Sequence, residues 1–353
     1  MKTPKLILPS RQSSLSQLNR LLKTPRYAGA KYIILTDENS SEHCLPLLIT
    51  TVEAFQESEF LEIESGEQNK TLEVASQLWQ ALLDMSADRD CVIVNLGGGV
   101  ITDMGGMVAA AFKRGVRYIN IPTTLLAMTD AAIGGKTAVN VNGIKNQVGF
   151  FYQPEVICVE PAFLNTLPDR EYLSGVCEMI KTLMVGDAEL YVQLCDTIMA
   201  KKPIPQVEMI RAAVQIKTAV VKADMYDNGM RKILNWGHTL GHAIESFSLN
   251  HTENPLTHGE AIAIGMVGEA YLSMKKAGLP VSEYERIKNL ITSLVSMPKY
   301  NLKDLPQLMD YIKGDKKNSN NTVYCTMLRN IGEAVIDMPI CENEICDALM
   351  NLN

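Results

Sequence analysis

The sequence predicts an α/β unit built on a parallel sheet, followed by a mainly α-helical unit. Three observations carry this. Short, continuously apolar runs in the first half, rich in β-branched residues, alternate with helix-periodic stretches. Runs of that kind are strands buried on both faces, as in a parallel sheet covered by helices. From Pro161 to about residue 313 the periodicity is almost wholly helical. Finally, 353 residues with 46% hydrophobic and 21% charged composition suffice for two domains, here 1–160 and 161–353.

Taken in order, residues 31–36 form a β-rich run ending at Asp37, and residues 71–85 carry apolar side chains at helical spacing. Residues 90–96 are a continuous apolar run that ends in Gly97-Gly98-Gly99, from which a helix runs to about Phe112. Residues 116–121 and 155–159 are two further strands. The second half reads as helices over 170–184, 189–199, 207–223, 232–248, 259–277 and 282–295, with Gly278 and Pro280 as a stop signal. Residues 321–328 and 333–336 flank Asn330-Ile331-Gly332 as a hairpin.

The net charge of −7 argues against a nucleic-acid binder. No stretch reaches the roughly 18 apolar residues of a membrane span, and the first ten residues carry no apolar run of a signal peptide. The eight cysteines are scattered, several within apolar runs, and no CxxC pair occurs. They read as small core residues in a reducing compartment, which points to the cytoplasm, and not as a thiolate zinc site.

The chemistry-bearing residues fall in three groups. The first is the turn at Gly97-Gly98-Gly99, after a buried strand and before a helix. Glycines allow close approach of a pyrophosphate, and the helix N-terminus offers free N–H groups. The pattern is not GxGxxG, so a tight turn without ligand is an equal reading. Asp103 lies in the first turn of that helix, as a cap or a contact. Asp37 and Glu67 stand at strand-to-helix turns, as ribose ligands or as ordinary carboxylates at helix starts. The second group mixes cations and glycines: Arg114, Arg117, Thr123, Thr124, Asp130, Gly134-Gly135-Lys136 and Lys145-Asn146. Gly134-Gly135-Lys136 resembles a phosphate-binding turn in kind without being a P-loop. The third holds three of the five histidines. His238 and His242 lie four apart on one helix face, and His258 opens the next helix. Imidazoles suit Zn²⁺, and a catalytic site has three protein ligands plus open positions. With all three histidines a metal is favoured over a capping or core pair, and Glu178 is the natural oxygen ligand.

These segments occur in a familiar order. Gly97 to Asp103, Pro122 to Asp130, Gly134 to Ala138, Lys145-Asn146, Glu178 to Lys181, Asn235 to Glu245, His258-Gly259-Glu260 and Asp315 to Asn318 together resemble the 3-dehydroquinate synthase family. The resemblance runs from about Asp37 to Asn318 and implies a Rossmann-like N-terminal domain, a helical C-terminal domain and a homodimer. It implies metal ligation, by Zn²⁺ or Co²⁺, at Glu178, His238 and His258, and it moves His242 to the substrate. NAD contacts are implied at Asp37, Glu67, Lys70, Gly98, Gly99, Val100, Asp103, Thr123, Thr124, Asp130, Lys145 and Thr166. Substrate contacts are implied at Arg114, Lys136, Asn146, Lys181, Lys217, Arg231, Asn235, His242 and Lys316. The implied reaction closes a phosphorylated seven-carbon sugar acid, 3-deoxy-D-arabino-heptulosonate 7-phosphate, into 3-dehydroquinate with loss of phosphate. NAD serves it only transiently. Ligand sites favour the cleft between domains, so the substrate is expected there. The sequence departs from the family pattern at Thr102, Ala131-Ala132, Gly143-Ile144 and Met225. Another sugar phosphate cyclase and a metal-dependent alcohol or glycerol dehydrogenase are the nearest alternatives. Lys136, Asn146, Lys217, Arg231 and His242 together favour the first reading.

Overall fold

A computed structural model describes residues 3–141, 144–202, 204, 206–314 and 322–352. Lys316 and Gly143 therefore lie outside the described residues. The chain divides into two compact units, Met1–Pro168 and Asp169–Asn353. No described helix is long and apolar enough to cross a membrane.

The first unit runs β1 (Lys5–Ile7), α1 (Ser14–Leu22), β2 (Tyr32–Asp37), α2 (Glu38–His43), α3 (Leu45–Thr51), β3 (Glu59–Ile63), α4 (Leu72–Asp84), β4 (Val92–Gly97), α5 (Gly99–Ala111), β5 (Arg117–Pro122), β6 (Lys136–Val141), β7 (Ile144–Phe151) and β8 (Val156–Cys158). Six strands form one sheet in the order β1-β8-β5-β4-β2-β3, with every pairing parallel. The four strands expected from apolar runs are β2, β4, β5 and β8. Edge strands β1 and β3 lacked that signal, because β1 has three residues and β3 keeps two glutamates in five. Ile33, Leu35, Ile93, Met104, Met107, Val108 and Tyr118 fill one core beside the sheet. From β2 the chain moves out to β3 and then crosses back to β4 on the other side. The order therefore reverses at β2 and β4, where open parallel sheets bind ligands beyond the strand C-termini. Asp37 and Gly97 are the last residues of those two strands.

Strands β6 and β7 form a separate antiparallel hairpin that the sequence did not announce. β7 is exposed along most of its length, so it has no inward apolar face to detect. The register slips between Val139 and Val141, an irregularity opposite Asn146, whose φ is 55°.

The second unit runs α6 (Asp169–Gly186), α7 (Ala188–Met199), α8 (Gln206–Ala223), α9 (His238–His251), α10 (His258–Lys276), α11 (Val281–Leu294), α12 (Leu305–Lys313), the hairpin β9 (Val323–Asn330) and β10 (Glu333–Ile340), and α13 (Glu342–Met350). α10 is its centre and is buried from Gly259 to Ala270. It packs on α9, α6 and α11.

One expected helix is corrected. Residues 232–248 do not form a single helix: a 3-10 turn covers Met230–Asn235, the chain breaks at Trp236 and Gly237, and α9 begins at His238. Gly237 has φ 80°, outside the helical region. A Cβ there would lie 2.5 Å from Met266 Cγ and 2.9 Å from the Ile262 carbonyl oxygen. Only glycine permits this approach of α10, and the break frees His238 to open a helix.

Candidate functional site

In the first unit, α5 starts directly after β4 with Gly98 as its N-cap and no side-chain cap hydrogen bond. Its first N–H groups are therefore available to an anion. The glycines are there for space. A Cβ on Gly97 would lie 2.5 Å from Ile101 Cγ1, and one on Gly98 would lie 3.1 Å from Thr124 Cγ2. Thr123 N donates to Gly97 O at 3.0 Å, which ties the ends of β4 and β5 together. Asp130 lies in a π-helical turn, Ala127–Ala131, and Ala131 is the neighbour nearest to a Cβ built on Gly99, at 3.5 Å. Asp37 caps α2: its Oδ1 accepts from Ser40 N at 2.7 Å.

A polar network joins several of the expected residues. Lys70 Nζ is buried and donates to Asp103 Oδ2 at 2.6 Å and to Asn146 Oδ1 at 2.7 Å. Burial disfavours the Lys70 charge, yet the Asp103 and Glu67 carboxylates outweigh it and hold the ammonium above its ordinary pKa. Asn140, which the sequence reading passed over, completes the network. Its Nδ2 donates to Glu67 Oε1 at 2.8 Å, and its Oδ1 accepts from Asn146 N at 2.8 Å. Gly134 and Gly135 take φ of 109° and 65° and turn the chain into β6, leaving Lys136 exposed. Lys145 lies on β7 and Val100 in the first turn of α5. Arg114 and Thr166 take no part in these hydrogen bonds, and Thr166 donates back to Phe163 O.

In the second unit, Glu178 and Lys181 are buried on α6, Lys217 is buried on α8, and Arg231 is buried on the turn before α9, which also carries Asn235. Arg231 Nη1 donates to the Met225 carbonyl at 2.8 Å. Lys181 Nζ lies 2.6 Å from Glu178 Oε2. That ion pair offsets the burial of the Glu178 charge, while Glu178 Oε1 has no hydrogen-bond partner among the described residues. Glu178 Oε1 stands 3.6 Å from His238 Nε2 and 3.6 Å from His258 Nε2. Tetrahedral ligands at about 2.1 Å from one ion are separated by about 3.4 Å. The three side chains thus fit a shared cation. The far nitrogens are engaged as a ligand set needs: His238 Nδ1 lies 3.0 Å from Trp236 O, and His258 Nδ1 lies 3.1 Å from Glu245 Oε2. One ring nitrogen from each of His238, His242 and His258 comes within 4.8 Å of the other two, so these three histidines also form a group that could hold a metal ion.

The approach to His258 is fixed by residues with no expected role. Arg170 spans Glu260 with Nε–Oε1 at 3.1 Å and Nη2–Oε2 at 2.8 Å, and reaches Pro255 O at 2.7 Å. Burial pushes the Glu260 carboxyl up, but Arg170 and the backbone N–H and hydroxyl of Thr257 outweigh it and hold it below the usual range. Glu245 and Asn140 are polar residues that act here without a role expected from the sequence. Each is a polar residue inside an apolar stretch, and that was the available signal.

A switch-point glycine turn in one unit and a histidine–carboxylate cluster in a helical second unit define an enzyme scaffold of the α/β-plus-helical class. The model for the 3-dehydroquinate synthase N-terminal region matches residues 60–174, and that for the C-terminal region matches residues 175–318. A 3-dehydroquinate synthase from Parabacteroides distasonis is 39% identical over 336 residues, covering 95% of this chain and 94% of the relative. A 2-deoxy-scyllo-inosose synthase solved with carbaglucose-6-phosphate, NAD⁺ and Co²⁺ superposes with a TM-score of 0.84 at 26% identity, covering 98% and 96% of the two chains. The 2-epi-5-epi-valiolone synthase from Streptomyces hygroscopicus, solved with NAD⁺ and Zn²⁺, gives 0.84 at 26% identity, covering 100% and 97%. The chain belongs to the 3-dehydroquinate synthase family.

Proposed function

We propose that this chain catalyses the 3-dehydroquinate synthase reaction of the shikimate pathway. It converts 3-deoxy-D-arabino-heptulosonate 7-phosphate to 3-dehydroquinate and phosphate by transient oxidation, elimination, reduction and intramolecular aldol closure. The observation that carries this reading is Glu178: a buried carboxylate, ion-paired with Lys181 through one oxygen and equidistant from two imidazole Nε2 atoms through the other.

When bound, NAD supplies reversible hydride transfer and a divalent cation, Zn²⁺ or Co²⁺, supplies polarisation of substrate oxygens. Glu178, His238 and His258 would hold the cation. The α5 N-terminus with Gly98, Gly99 and Val100, together with Asp37, Glu67, Lys70, Asp103, Thr123, Thr124, Asp130, Lys145 and Thr166, would hold NAD. Lys181, Lys217 and Arg231 are buried cations, suited to the carboxylate and phosphate of an anionic substrate. Arg114, Lys136, Asn146, Asn235 and Lys316 are assigned to the same substrate. His242, bordering the cation ligands, orients substrate hydroxyls. None of the eight cysteines is joined in a disulfide, which suits a cytoplasmic enzyme. A homodimer is the proposed assembly.

The test supplies trace NAD with excess substrate and follows phosphate and NADH together. Many phosphates per NAD with no lasting NADH is the expected result. Phosphate limited to one per NAD, or NADH rising in step with product, would replace this reading with a dehydrogenase.

A further inference from the structure

His238 and His258 are the first residues of α9 and α10, and each helix carries a carboxylate that acts on the other. Glu245, about two turns along α9 from His238, places Oε2 3.1 Å from His258 Nδ1. Glu269, about three turns along α10 from His258, is fully buried. Its carboxylate accepts from Gly237 N at 2.7 Å, Thr239 N at 2.8 Å and Leu240 N at 3.1 Å.

Both contacts answer a need set by the sequence. Gly237 must be glycine to let α10 approach, and glycine has no side chain with which to cap α9. The first N–H groups of a helix have no intrahelical acceptor, and leaving them buried and unpaired is costly. Glu269 supplies the acceptors from the neighbouring helix, and its charge faces the positive end of α9. The backbone on either side of His238 is thereby held by a residue of α10. His258 has the converse arrangement. An Nδ1–H held by the Glu245 carboxylate fixes the tautomer and leaves the Nε2 lone pair directed away from it, toward Glu178.

We infer that Glu245 and Glu269 are positioning residues of the cation site, a reciprocal brace in which each helix holds the other's histidine before the ion arrives. The brace rests on the assignment of Glu178, His238 and His258 as ligands. Its distinctive content is that two carboxylates remote from the reacting atoms set cation affinity.

The experiment uses the full chain, stripped with a chelator, as wild type and as the variants Glu245→Ala, Glu245→Gln, Glu269→Gln and His238→Ala. Zn²⁺ affinity is measured by competition with a chromophoric chelator, the visible spectrum of the Co²⁺ form is recorded, and unfolding of the ion-free protein is followed by heat. Glu245→Ala is expected to weaken Zn²⁺ binding about 10- to 100-fold with little change in ion-free unfolding. Glu245→Gln recovers part of it, because the amide oxygen still accepts from Nδ1. Glu269→Gln is expected to shift the Co²⁺ bands and weaken Zn²⁺ while remaining folded; if it does not fold, Glu245→Ala and Glu245→Gln decide the question. Wild-type affinity and spectrum in the Glu245→Ala and Glu269→Gln proteins overturn the brace. If His238→Ala abolishes binding and Glu245→Ala binds as wild type, only the brace falls. If His238→Ala binds as wild type, the ligand assignment falls and the brace with it.

Discussion

Asn140 shows how one amide can link residues assigned to different ligands. Its Nδ2 holds Glu67 and its Oδ1 holds the backbone of Asn146, which sits at a φ of 55°. Asparagine tolerates that left-handed conformation better than most residues, but the position still needs outside support. Asn146 in turn shares Lys70 with Asp103. Removing the Asn140 amide frees both ends at once, at a cost of about 1–2 kcal/mol for the lost hydrogen bonds. Asn140→Ala should therefore weaken NAD binding about tenfold by calorimetric titration and raise the substrate KM in the same protein. An NAD affinity and KM both equal to wild type would show that the network is ornamental. Asn140→Asp separates the two ends: it keeps the acceptor for Asn146 N but sets a carboxylate against Glu67, so NAD binding should suffer more than KM.

At the scale of elements, the parallel strands and the long helices were legible because burial writes itself into sequence as apolar periodicity. β4 is buried at every position, and its apolar run marked it. What escaped depended on neighbours. The break before α9 follows from a contact of Gly237 with α10, and nothing within residues 232–248 encodes that contact. The β6–β7 hairpin escaped because β7 faces outward. Of the candidate site, the histidines, which the fold brings together, and the glycine turn at the start of α5 were legible from residue type and spacing. Asn140, Glu245 and Glu269 were not, because their roles are defined only by what the fold brings next to them.

The histidines of α9 admit two readings. Spacing alone pairs His238 with His242 as ligands. The ligands proposed above are His238 and His258, whose Nε2 atoms both stand 3.6 Å from Glu178 Oε1 and whose Nδ1 atoms are anchored elsewhere, while one ring nitrogen of His242 lies within 4.8 Å of theirs. His238→Ala should lose bound cation and activity while retaining helical content by circular dichroism. His242→Ala should retain the cation by elemental analysis and lose activity. Equal loss of cation in both would restore the simple spacing rule.

For the molecule as a whole, β7 raises a question of assembly. Ile144, Val148 and Phe150 are 58%, 43% and 45% exposed on one strand, and among the described residues only β6 pairs with it. An open strand edge with apolar side chains invites pairing, and folded proteins cover such edges or pay in aggregation. The proposed homodimer provides a cover, because a two-fold axis lets one copy of a self-complementary patch meet another. The strand also carries Lys145 and Asn146, so a partner seated on β7 would stiffen the backbone that presents both. Assembly and activity should then be linked. Light scattering of the wild type should give twice the 39.0 kDa chain mass. Val148→Lys, which places a charge in the centre of the patch and touches no assigned ligand, should move the mass toward that of one chain and lower activity in a manner that higher protein concentration partly restores. A wild-type mass of one chain would remove the dimer. A dimeric Val148→Lys protein would move the interface off β7.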